Sequence, residues 1–405
     1  MAVSDVTPSD PRHGSGEEVP RVALLNNPEI RGWLFQIILT VLIVYLAYTG
    51  WSNMNANLQA AGIASGWGFL GTNAGFAISQ SLLEYSQASS TYGRVYVVGL
   101  LNTLVVAFFG IILATILGFI VGIARLSKNW LVSGLATVYV EALRNIPLLL
   151  QIFIWYFGVL RLLPQPREGL EFGPLGMLNN RGYFAPKPIW GDGAEYTLYA
   201  FIIACIAAYA ISRWARMRQM ATGQTFPSFM TGLGLIVLFP LIVFFLSGSP
   251  LSWDVPEMGG FRPRGGMTII PEYIAMLVAL ATYTASFIAE IVRAGILAVN
   301  RGQTEASHAL GLRNGPTLRL VIIPQALRII IPPLTSQYLN LTKNSSLAVA
   351  IAYPELTSVF AGTALNQTGQ AVEIISLTML TYLAISLLTS LFMNWYNSRV
   401  ALVER

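Results

Sequence analysis

The stretch that decides the fold occupies residues 305–324, reads EASHALGLRNGPTLRLVIIP and is more polar than the long apolar segments around it. A helix over residues 303–310 would place Glu305 in its first turn, where a carboxylate stabilises the positive end of the helix dipole. Gly311 suits the left-handed position that ends a helix, and Pro316 suits the first turn of the next helix. We predict two short helices joined at a bend, a rigid knob that could pass a movement to its flanking segments. An ordinary solvated loop is the alternative.

The composition around this stretch is that of an integral membrane protein. The 405 residues are 54% hydrophobic and 11% charged, whereas a soluble domain carries about a quarter charged residues. In a membrane protein the positions of Lys and Arg along the chain indicate its orientation. The formal net charge of +5 is therefore not taken as a sign of nucleic-acid binding. His13 and His308 are the only histidines and Cys205 the only cysteine, which argues against a histidine-based metal site.

Eight apolar segments are candidates to cross a bilayer, whose hydrocarbon core takes about twenty helical residues. They cover residues 33–50, 95–124, 131–160, 197–212, 230–247, 268–299, 327–353 and 374–396. Pro147 predicts a kink within the third segment, because proline removes one backbone hydrogen bond. The fold class is thus an all-α membrane protein of about eight spans, with tails at residues 1–31 and 399–405.

The distribution of basic residues predicts the orientation. With both termini in the cytoplasm, fifteen Lys and Arg residues lie in or beside inner segments and seven in outer segments. The inner set is Arg12, Arg21, Arg31, Arg125, Lys128, Arg213, Arg216, Arg218, Arg293, Arg301, Arg313, Arg319, Arg328, Arg399 and Arg405, and the outer set is Arg94, Arg161, Arg167, Arg181, Lys187, Arg262 and Arg264. This excess predicts cytoplasmic termini and a cytoplasmic location for residues 305–324.

The spacing within residues 305–324 resembles the EAA loop of the membrane subunits of bacterial ABC importers. That loop reads E-A-A, then G, then I-x-L-P, and its counterparts here are Glu305, Ala306, Ser307, Gly311 and Pro324. Ser307 replaces the third consensus residue, alanine. The resemblance implies that these five residues belong to the contact through which a partner ATPase is coupled to the membrane helices.

Three further stretches resemble segments of the polar amino acid permeases within that class. They are YVEALRNIPLLLQIFIWY at residues 139–156, EIVRAGILAVNRGQTE at residues 290–305 and KNSSL at residues 343–347. Asn145 and Ala294 stand where the family commonly has glycine. Long chains of this family resemble the Q-type subunit of general L-amino-acid transporters.

The resemblance implies a type I importer permease fold with a five-helix core, supplied here by the second, third, sixth, seventh and eighth spans. Residues 32–94 would form the first transmembrane helix and a periplasmic loop. Residues 95–398 would form the transmembrane domain, with a two-helix insertion at about residues 161–267. The implied location is the bacterial inner membrane.

The same resemblance implies partners that the sequence itself does not contain. They are a second permease subunit, more often a different chain than a second copy, a dimeric cytoplasmic ATPase and a periplasmic amino-acid-binding protein. ATP and Mg²⁺ would bind the ATPase, and no cofactor is expected in this chain. The lipid bilayer is the remaining partner, and no nucleic acid is expected.

Lys343 is a charge in the interior of a predicted span, where an ionised group is costly and usually functional. Its own helix offers no nearby acidic residue, and the polar residues Asn340, Asn344 and Ser345 surround it. Two interpretations remain open. Lys343 lines the substrate pathway, or it neutralises a glutamate of another helix.

Two acid–base pairs with three-residue spacing lie on helical faces of other spans. Glu141 and Arg144 belong to the third span, and both a pathway role and a structural role remain open for them. Glu290 and Arg293 lie near the end of the sixth span, where a structural ion pair is the prediction.

A self-contained secondary transporter or channel is the alternative function. It predicts inverted repeats with matching broken helices, and the sequence shows no such repeat. A membrane enzyme is disfavoured because the chain contains no HExxH, G-x-S-x-G or Walker A pattern. We therefore expect a non-catalytic subunit, with ATP hydrolysis on partner subunits.

Overall fold

The computed structural model describes residues 28–60, 62, 65–259 and 262–400. The chain divides into two units, Met1–Ser65 and Gly66–Arg405. In the first unit, helix α1 covers Pro28–Ala60 and extends the predicted first span at both ends. Residues 28–31 of the predicted N-terminal tail belong to this helix. The rest of that tail, with Arg12 and Arg21, lies outside the described residues, as do residues 401–405 of the C-terminal tail.

The second unit is built mainly from helices. They are α2 (Tyr92–Ala124), α3 (Trp130–Asn145), α4 (Leu148–Leu162, π-helical over Ile154–Val159), α5 (Ala194–Thr222), α6 (Ser228–Leu246), α7 (Pro271–Leu297), α8 (Arg301–Ala309), α9 (Asn314–Thr317), α10 (Ile323–Asn344), α11 (Leu365–Thr368) and α12 (Ala371–Val400). Within the described residues, seven helices are long and apolar enough to cross a membrane, and the bent pair α3–α4 brings the number to eight. The predicted fold class is confirmed.

Helices α2 and α7 form the centre of the core. They pack closely because Gly118 and Gly122 face α7 without a side chain. A Cβ atom at Gly122 would lie 2.7 Å from the carbonyl oxygen of Ala289 and 2.8 Å from the Cβ of Val292. Small residues at such a contact let two apolar helices approach each other, which increases van der Waals contact where lipid replaces water outside.

The third predicted span is broken and not merely kinked. Helices α3 and α4 meet at an angle of 107°, at Ile146 and Pro147. Pro147 has no N–H group, so the carbonyl of Leu143 loses its helical donor. The amide of Gln151 replaces that donor, because its Nε2 atom donates to the carbonyls of Leu143 (2.8 Å) and Ile146 (2.9 Å). Gln151 is buried, so these hydrogen bonds stabilise the break in an apolar environment.

A second break follows the seventh span. Helix α10 continues as a 3₁₀ segment over Ser345–Ile351, and Ala352 then adopts a left-handed backbone with φ of 57°. The chain resumes as a π-helical segment over Thr357–Ala364 that leads into α11. Residues 354–373, predicted to connect two spans, therefore contain further helix.

Two residues of α2 form hydrogen bonds with this second break. They lie about 15 Å along the axis of α2 from its first residue, Tyr92. The Nδ2 atom of Asn102 donates to the carbonyls of Pro354 (2.8 Å) and Gln80 (2.9 Å). The Oγ1 atom of Thr103 accepts from the N–H of Leu356 at 3.1 Å. The break therefore packs against the interior of α2 and not against its end.

The predicted two-helix insertion contains α5, α6 and eight short strands. The strands are β1 (Leu170–Glu171), β2 (Met177–Asn179), β3 (Gly182–Ala185), β4 (Lys187–Trp190), β5 (Leu251–Asp254), β6 (Glu257–Gly259), β7 (Arg262–Arg264) and β8 (Met267–Ile269). An antiparallel sheet has the order β1-β2-β3-β8, and two further pairs are β4–β5 and β6–β7. The sequence predicted loops here, because strands of two to four residues are too short to show an alternating pattern, and two of the pairings, β3–β8 and β4–β5, join segments far apart in the sequence.

Helix α5 is much longer than the predicted span over residues 197–212. It continues through Arg213, Arg216 and Arg218 and ends where Gly223 adopts φ of 72°. Arginine is a good helix former, so the end of the apolar run does not end the helix. The pairing of β3 with β8 brings the start of α5 and the end of α6 to the end of the bundle where α7 begins.

An ion-pair network ties the ends of α2, α3 and α7. The carboxylate of Glu290 accepts hydrogen bonds from the guanidinium groups of Arg293, at 2.6 Å, and of Arg125. Arg125 also lies 3.9 Å from Glu141. The predicted pair Glu290–Arg293 is therefore present, and Arg125 from α2 joins it. Within the described residues no ion pair joins Glu141 to Arg144, whose guanidinium carbon lies 5.1 Å from the ring centroid of Phe287.

We predict that Gln151→Leu destabilises the folded chain by about 1–3 kcal/mol, because two buried carbonyls lose their donor. The measurement is thermal unfolding of the purified chain in detergent. Asn145→Ala is the matched control. Asn145 also donates to a carbonyl, that of Glu141 at 2.7 Å, but in an exposed position where water replaces the bond. Equal stability of both variants would contradict the role assigned to Gln151.

Candidate functional site

A cavity of about 450 Å³ lies between α12 and the segments that follow α10. Its lining residues are Lys343, Ser346, Thr357, Thr378, Met379, Tyr382, Leu383 and Ser386. Lys343 is the cation of this set, and the other lining residues carry hydroxyl groups or apolar side chains. A pocket that combines apolar walls with a few converging polar groups is the usual form of a small-molecule site.

Helix α12 contributes a polar stripe to this cavity. Thr378, Tyr382 and Ser386 are spaced four apart and so share one face of the helix. The hydroxyl of Thr378 donates a hydrogen bond to the carbonyl of Ile374 at 2.8 Å. The Oγ atom of Ser386 is buried and has no partner among the described residues. Buried polar atoms are normally hydrogen-bonded, so Ser386 is available to a bound molecule.

A buried carboxylate supports the cavity wall from behind. Glu355 has no exposed surface, and its oxygens accept from the N–H groups of Thr357 (2.8 Å) and Ser358 (2.7 Å). It therefore caps the helical segment that begins after the second break. The hydroxyl of Tyr382 donates to the same carboxylate at 2.9 Å and lies 3.2 Å from the Oγ1 atom of Thr357. These bonds fix the two hydroxyls that face the cavity.

Of the four residues predicted for this part of the pathway, Lys343 lines the cavity, whereas Asn340, Asn344 and Ser345 do not. Lys343 lies in the last turn of α10 and lines the cavity. Asn340 is exposed and Asn344 is half-buried, and neither is among the lining residues. Ser345 is buried, with its hydroxyl bonded to the carbonyl of Thr342 at 2.7 Å.

The other charged residues predicted for the pathway lie elsewhere. Glu141 and Arg144 belong to α3, close to Arg125 and Phe287 respectively, and neither lines the cavity. Their place in a pathway stays a prediction. A metal site is not suggested either, since no group of three His, Cys, Asp or Glu side chains comes together within the described residues.

The stretch at residues 305–324 forms two helices joined at a bend, as predicted. Asn300 caps α8 by accepting from the N–H of Gly302 at 2.8 Å, and Gly311 ends it with φ of 78°. The prediction that Glu305 lies in the first turn is wrong, because the Asn300 cap starts the helix at Arg301. Glu305 lies in the second turn and points outward.

The knob formed by α8 and α9 presents most of its surface outward. Glu305, Ala306, Gly311 and Pro324 are exposed, and the side chain of Leu310 is 83% exposed. Ser307 is the buried member, and its backbone carbonyl accepts from the N–H of Leu312 at 3.1 Å.

The knob is continuous with a membrane helix. Helix α9 runs through a π-helical segment over Leu318–Ile322 directly into α10, which ends beside the cavity. Gln325 also donates to the side-chain oxygen of Gln303 at 3.2 Å, which connects the start of α10 to α8. The knob and Lys343 therefore lie at the two ends of one continuous helical path.

Sequence reasoning missed five residues of this site: Glu355, Thr357, Thr378, Tyr382 and Ser386. Two signals could have indicated them. The first is that hydroxyl residues recur at every fourth position in the eighth span. The second is that Glu355 is an acidic residue in a segment, residues 344–373, that contains no Lys or Arg to pair with it.

Comparison with known proteins shows the family. A family model described as "Binding-protein-dependent transport system inner membrane component" matches residues 200–402. The chain is 53% identical, over 98% of both chains, to the general L-amino acid transport system permease protein AapQ of Rhizobium johnstonii. It is 53% identical to the putative amino-acid ABC transporter permease protein YhdX of Escherichia coli, over 94% of this chain and 96% of that one.

A third relative is the glutamate/glutamine/aspartate/asparagine transport system permease protein BztB of Rhodobacter capsulatus, 42% identical over 94% of this chain and 96% of that one. These matches confirm the resemblance read from the four sequence motifs. The chain belongs to the family of binding-protein-dependent transport system inner membrane components, the multi-pass permease subunits of ABC importers.

Proposed function

We propose that this chain is the permease subunit through which an ATP-driven importer passes L-amino acids across the bacterial inner membrane. The observation that carries the proposal is the cavity of Lys343, Tyr382 and Ser386 in a chain whose close relatives are named as amino acid permeases. A broad or polar range of amino acids fits the relatives' names.

The chemistry of the cavity suits a zwitterion. An α-amino acid carries a carboxylate and an ammonium group, and each needs a partner once it leaves water. The ammonium group of Lys343 would bind the carboxylate, while the hydroxyl oxygens of Thr357 and Ser386 would accept from the substrate ammonium group. Met379 and Leu383 would contact the side chain. The contacts to the two charges are common to all α-amino acids.

Coupling to ATP hydrolysis would occur at the knob. Glu305, Ala306, Ser307, Gly311 and Pro324 form or support the surface that a dimeric cytoplasmic ATPase would contact, with ATP and Mg²⁺ bound there and not in this chain. The continuous path from α9 through α10 supports a rigid-body movement of the cavity wall when the ATPase closes.

The remaining partners and the orientation belong to the same proposal. A second permease subunit, more plausibly a different chain, would complete the pathway, and a periplasmic amino-acid-binding protein would deliver the substrate. Both termini would lie in the cytoplasm together with the knob. The strands of the insertion would then lie on the periplasmic side.

The orientation predicts opposite labelling of two exposed positions. In a Cys205→Ala background, Leu175→Cys should react with an impermeant maleimide added to intact spheroplasts, because Leu175 lies in the strand-rich insertion and is 65% exposed. Leu310→Cys, on the knob, should react only after the membrane is permeabilised. The reverse pattern would contradict both the orientation and the coupling role.

The coupling assignment predicts transport loss without loss of the protein. Glu305→Lys reverses the charge of the knob, and Gly311→Val places a β-branched residue in a left-handed conformation, at a cost of about 1–2 kcal/mol. Uptake and substrate-stimulated ATP hydrolysis of the assembled importer should both fall, with normal amounts of subunit in the membrane.

Gly315→Ala is the matched control for Gly311→Val. A Cβ atom at either position meets no atom within 4 Å, but only Gly311 has positive φ. Gly315→Ala should therefore transport normally. Normal uptake in both Glu305→Lys and Gly311→Val would refute the coupling assignment.

The cavity assignment predicts loss of uptake in Lys343→Met with normal complex yield. Ser386→Ala should raise the KM for uptake about tenfold or more, because a hydrogen bond to a charged group contributes about 1.5–3 kcal/mol. Ser376→Ala, on an exposed face of the same helix, is the control and should leave uptake unchanged.

The structural alternative for Lys343 makes a different prediction. If Lys343 only neutralised the buried Glu355, Lys343→Met would lower complex yield, and the added change Glu355→Gln would restore yield and transport. Recovery of transport in that double variant would rule out Lys343 as an indispensable ligand of the substrate carboxylate.

A further inference from the structure

A second cavity, of about 410 Å³, lies in the hairpin of α5 and α6, apart from the transport site. Its lining residues are Ala208, Ser212, Arg216, Ser228, Phe229, Gly232, Leu233 and Ile236. Helix α5 starts at the strand-rich end of the bundle, so this cavity lies near the opposite end, where the hairpin turns at residues 223–227.

The cavity is polar at one end and apolar along its length. Arg216 and Ser228 lie nearest the hairpin turn, and Ser212 lies one helical turn further from it along α5. Leu233 and Ile236 lie one to two turns further into α6, and Ala208 lies about 12 Å from Arg216 along α5 at 1.5 Å per residue. A molecule that fits this distribution has an anionic head and an apolar chain.

The positive charge around the cavity is not balanced by an acidic residue of the hairpin itself. Arg213, Arg216 and Arg218 stand within one and a half turns, and the sequence has no Asp or Glu between Glu195 and Asp254. Arg218 is held by Gln224 at 2.7 Å and lies 5.4 Å from the ring centroid of Trp214. Arg216 has no ion-pair partner among the described residues and is exposed.

The surroundings of the hairpin favour a lipid over a soluble anion. Helices α5 and α6 pack on each other through small residues, with a Cβ atom at Gly232 only 3.4 Å from that of Ala208. Their outer faces carry exposed apolar residues such as Ile206 and Leu233. A ligand in the cavity therefore contacts hydrocarbon along its length, and Trp214 marks the interfacial end, where tryptophan is enriched.

We propose that the hairpin of α5 and α6 binds one anionic phospholipid. Arg216 binds the headgroup phosphate, with Ser212 and Ser228 as hydrogen-bond donors, and an acyl chain follows Leu233 and Ile236. Basic pockets between transmembrane helices recognise anionic headgroups in this way. The site lies outside the transport cavity, so the proposal stands or falls independently of the substrate.

The test is native mass spectrometry of the full chain in detergent, titrated with phosphatidylglycerol or with phosphatidylcholine. The wild-type chain should retain phosphatidylglycerol in preference, and Arg216→Gln should weaken that retention about fivefold. Lys128→Gln removes an exposed cation elsewhere and should retain the lipid as the wild type does. Leu233→Trp fills the apolar part of the cavity and should weaken retention with Arg216 intact, which tests the site if Arg216→Gln fails to fold.

Three results would overturn the proposal. Equal retention of the two lipids by the wild-type chain would remove the charge preference. Unchanged retention in folded Arg216→Gln and Leu233→Trp would place the lipid elsewhere and leave the arginines to a protein partner. Displacement of the lipid by excess inorganic phosphate would indicate an anion site without a role for the acyl chain.

Discussion

The whole structure depends on satisfying backbone hydrogen bonds where helices break inside an apolar span. Each unpaired backbone group in hydrocarbon costs several kcal/mol, and this chain interrupts two of its core segments. Gln151 supplies the missing donor at the first break, and Asn102 and Thr103 serve the second. Glu355 then caps the helix that resumes. These polar side chains are buried because the backbone around them needs partners.

The second break also brings polar side chains together around the cavity. An unbroken bundle of apolar helices would leave no polar surface at the depth of the span, whereas the second break brings Glu355 and Thr357 beside Tyr382 and Lys343. The helix that carries Lys343 also begins at the exposed knob. One continuous helical element therefore joins the exposed knob to the cavity wall, which is the structural basis of the proposed coupling.

Several parts of this arrangement were predictable from local signals. The positive φ of Gly311 followed from glycine at a helix end, and the bend in residues 305–324 followed from Gly311 and Pro316. Pro147 indicated where the third span is interrupted, although only the structure shows a turn of 107°. Glu305 was misplaced by one turn, because the Asn300 cap, and not the polar stretch itself, sets the start of α8.

The sequence by itself determined the membrane class, the approximate spans and the bend of the knob at Gly311, because hydropathy and backbone conformation are local properties. The tertiary structure alone decided which polar residues meet. Lys343 joins Thr357, Tyr382 and Ser386 from other segments, Arg125 joins Glu290, and β3 pairs with β8 across two helices. Such contacts depend on how helices rotate and pack against one another, and residue order along a single helix carries no information about that rotation.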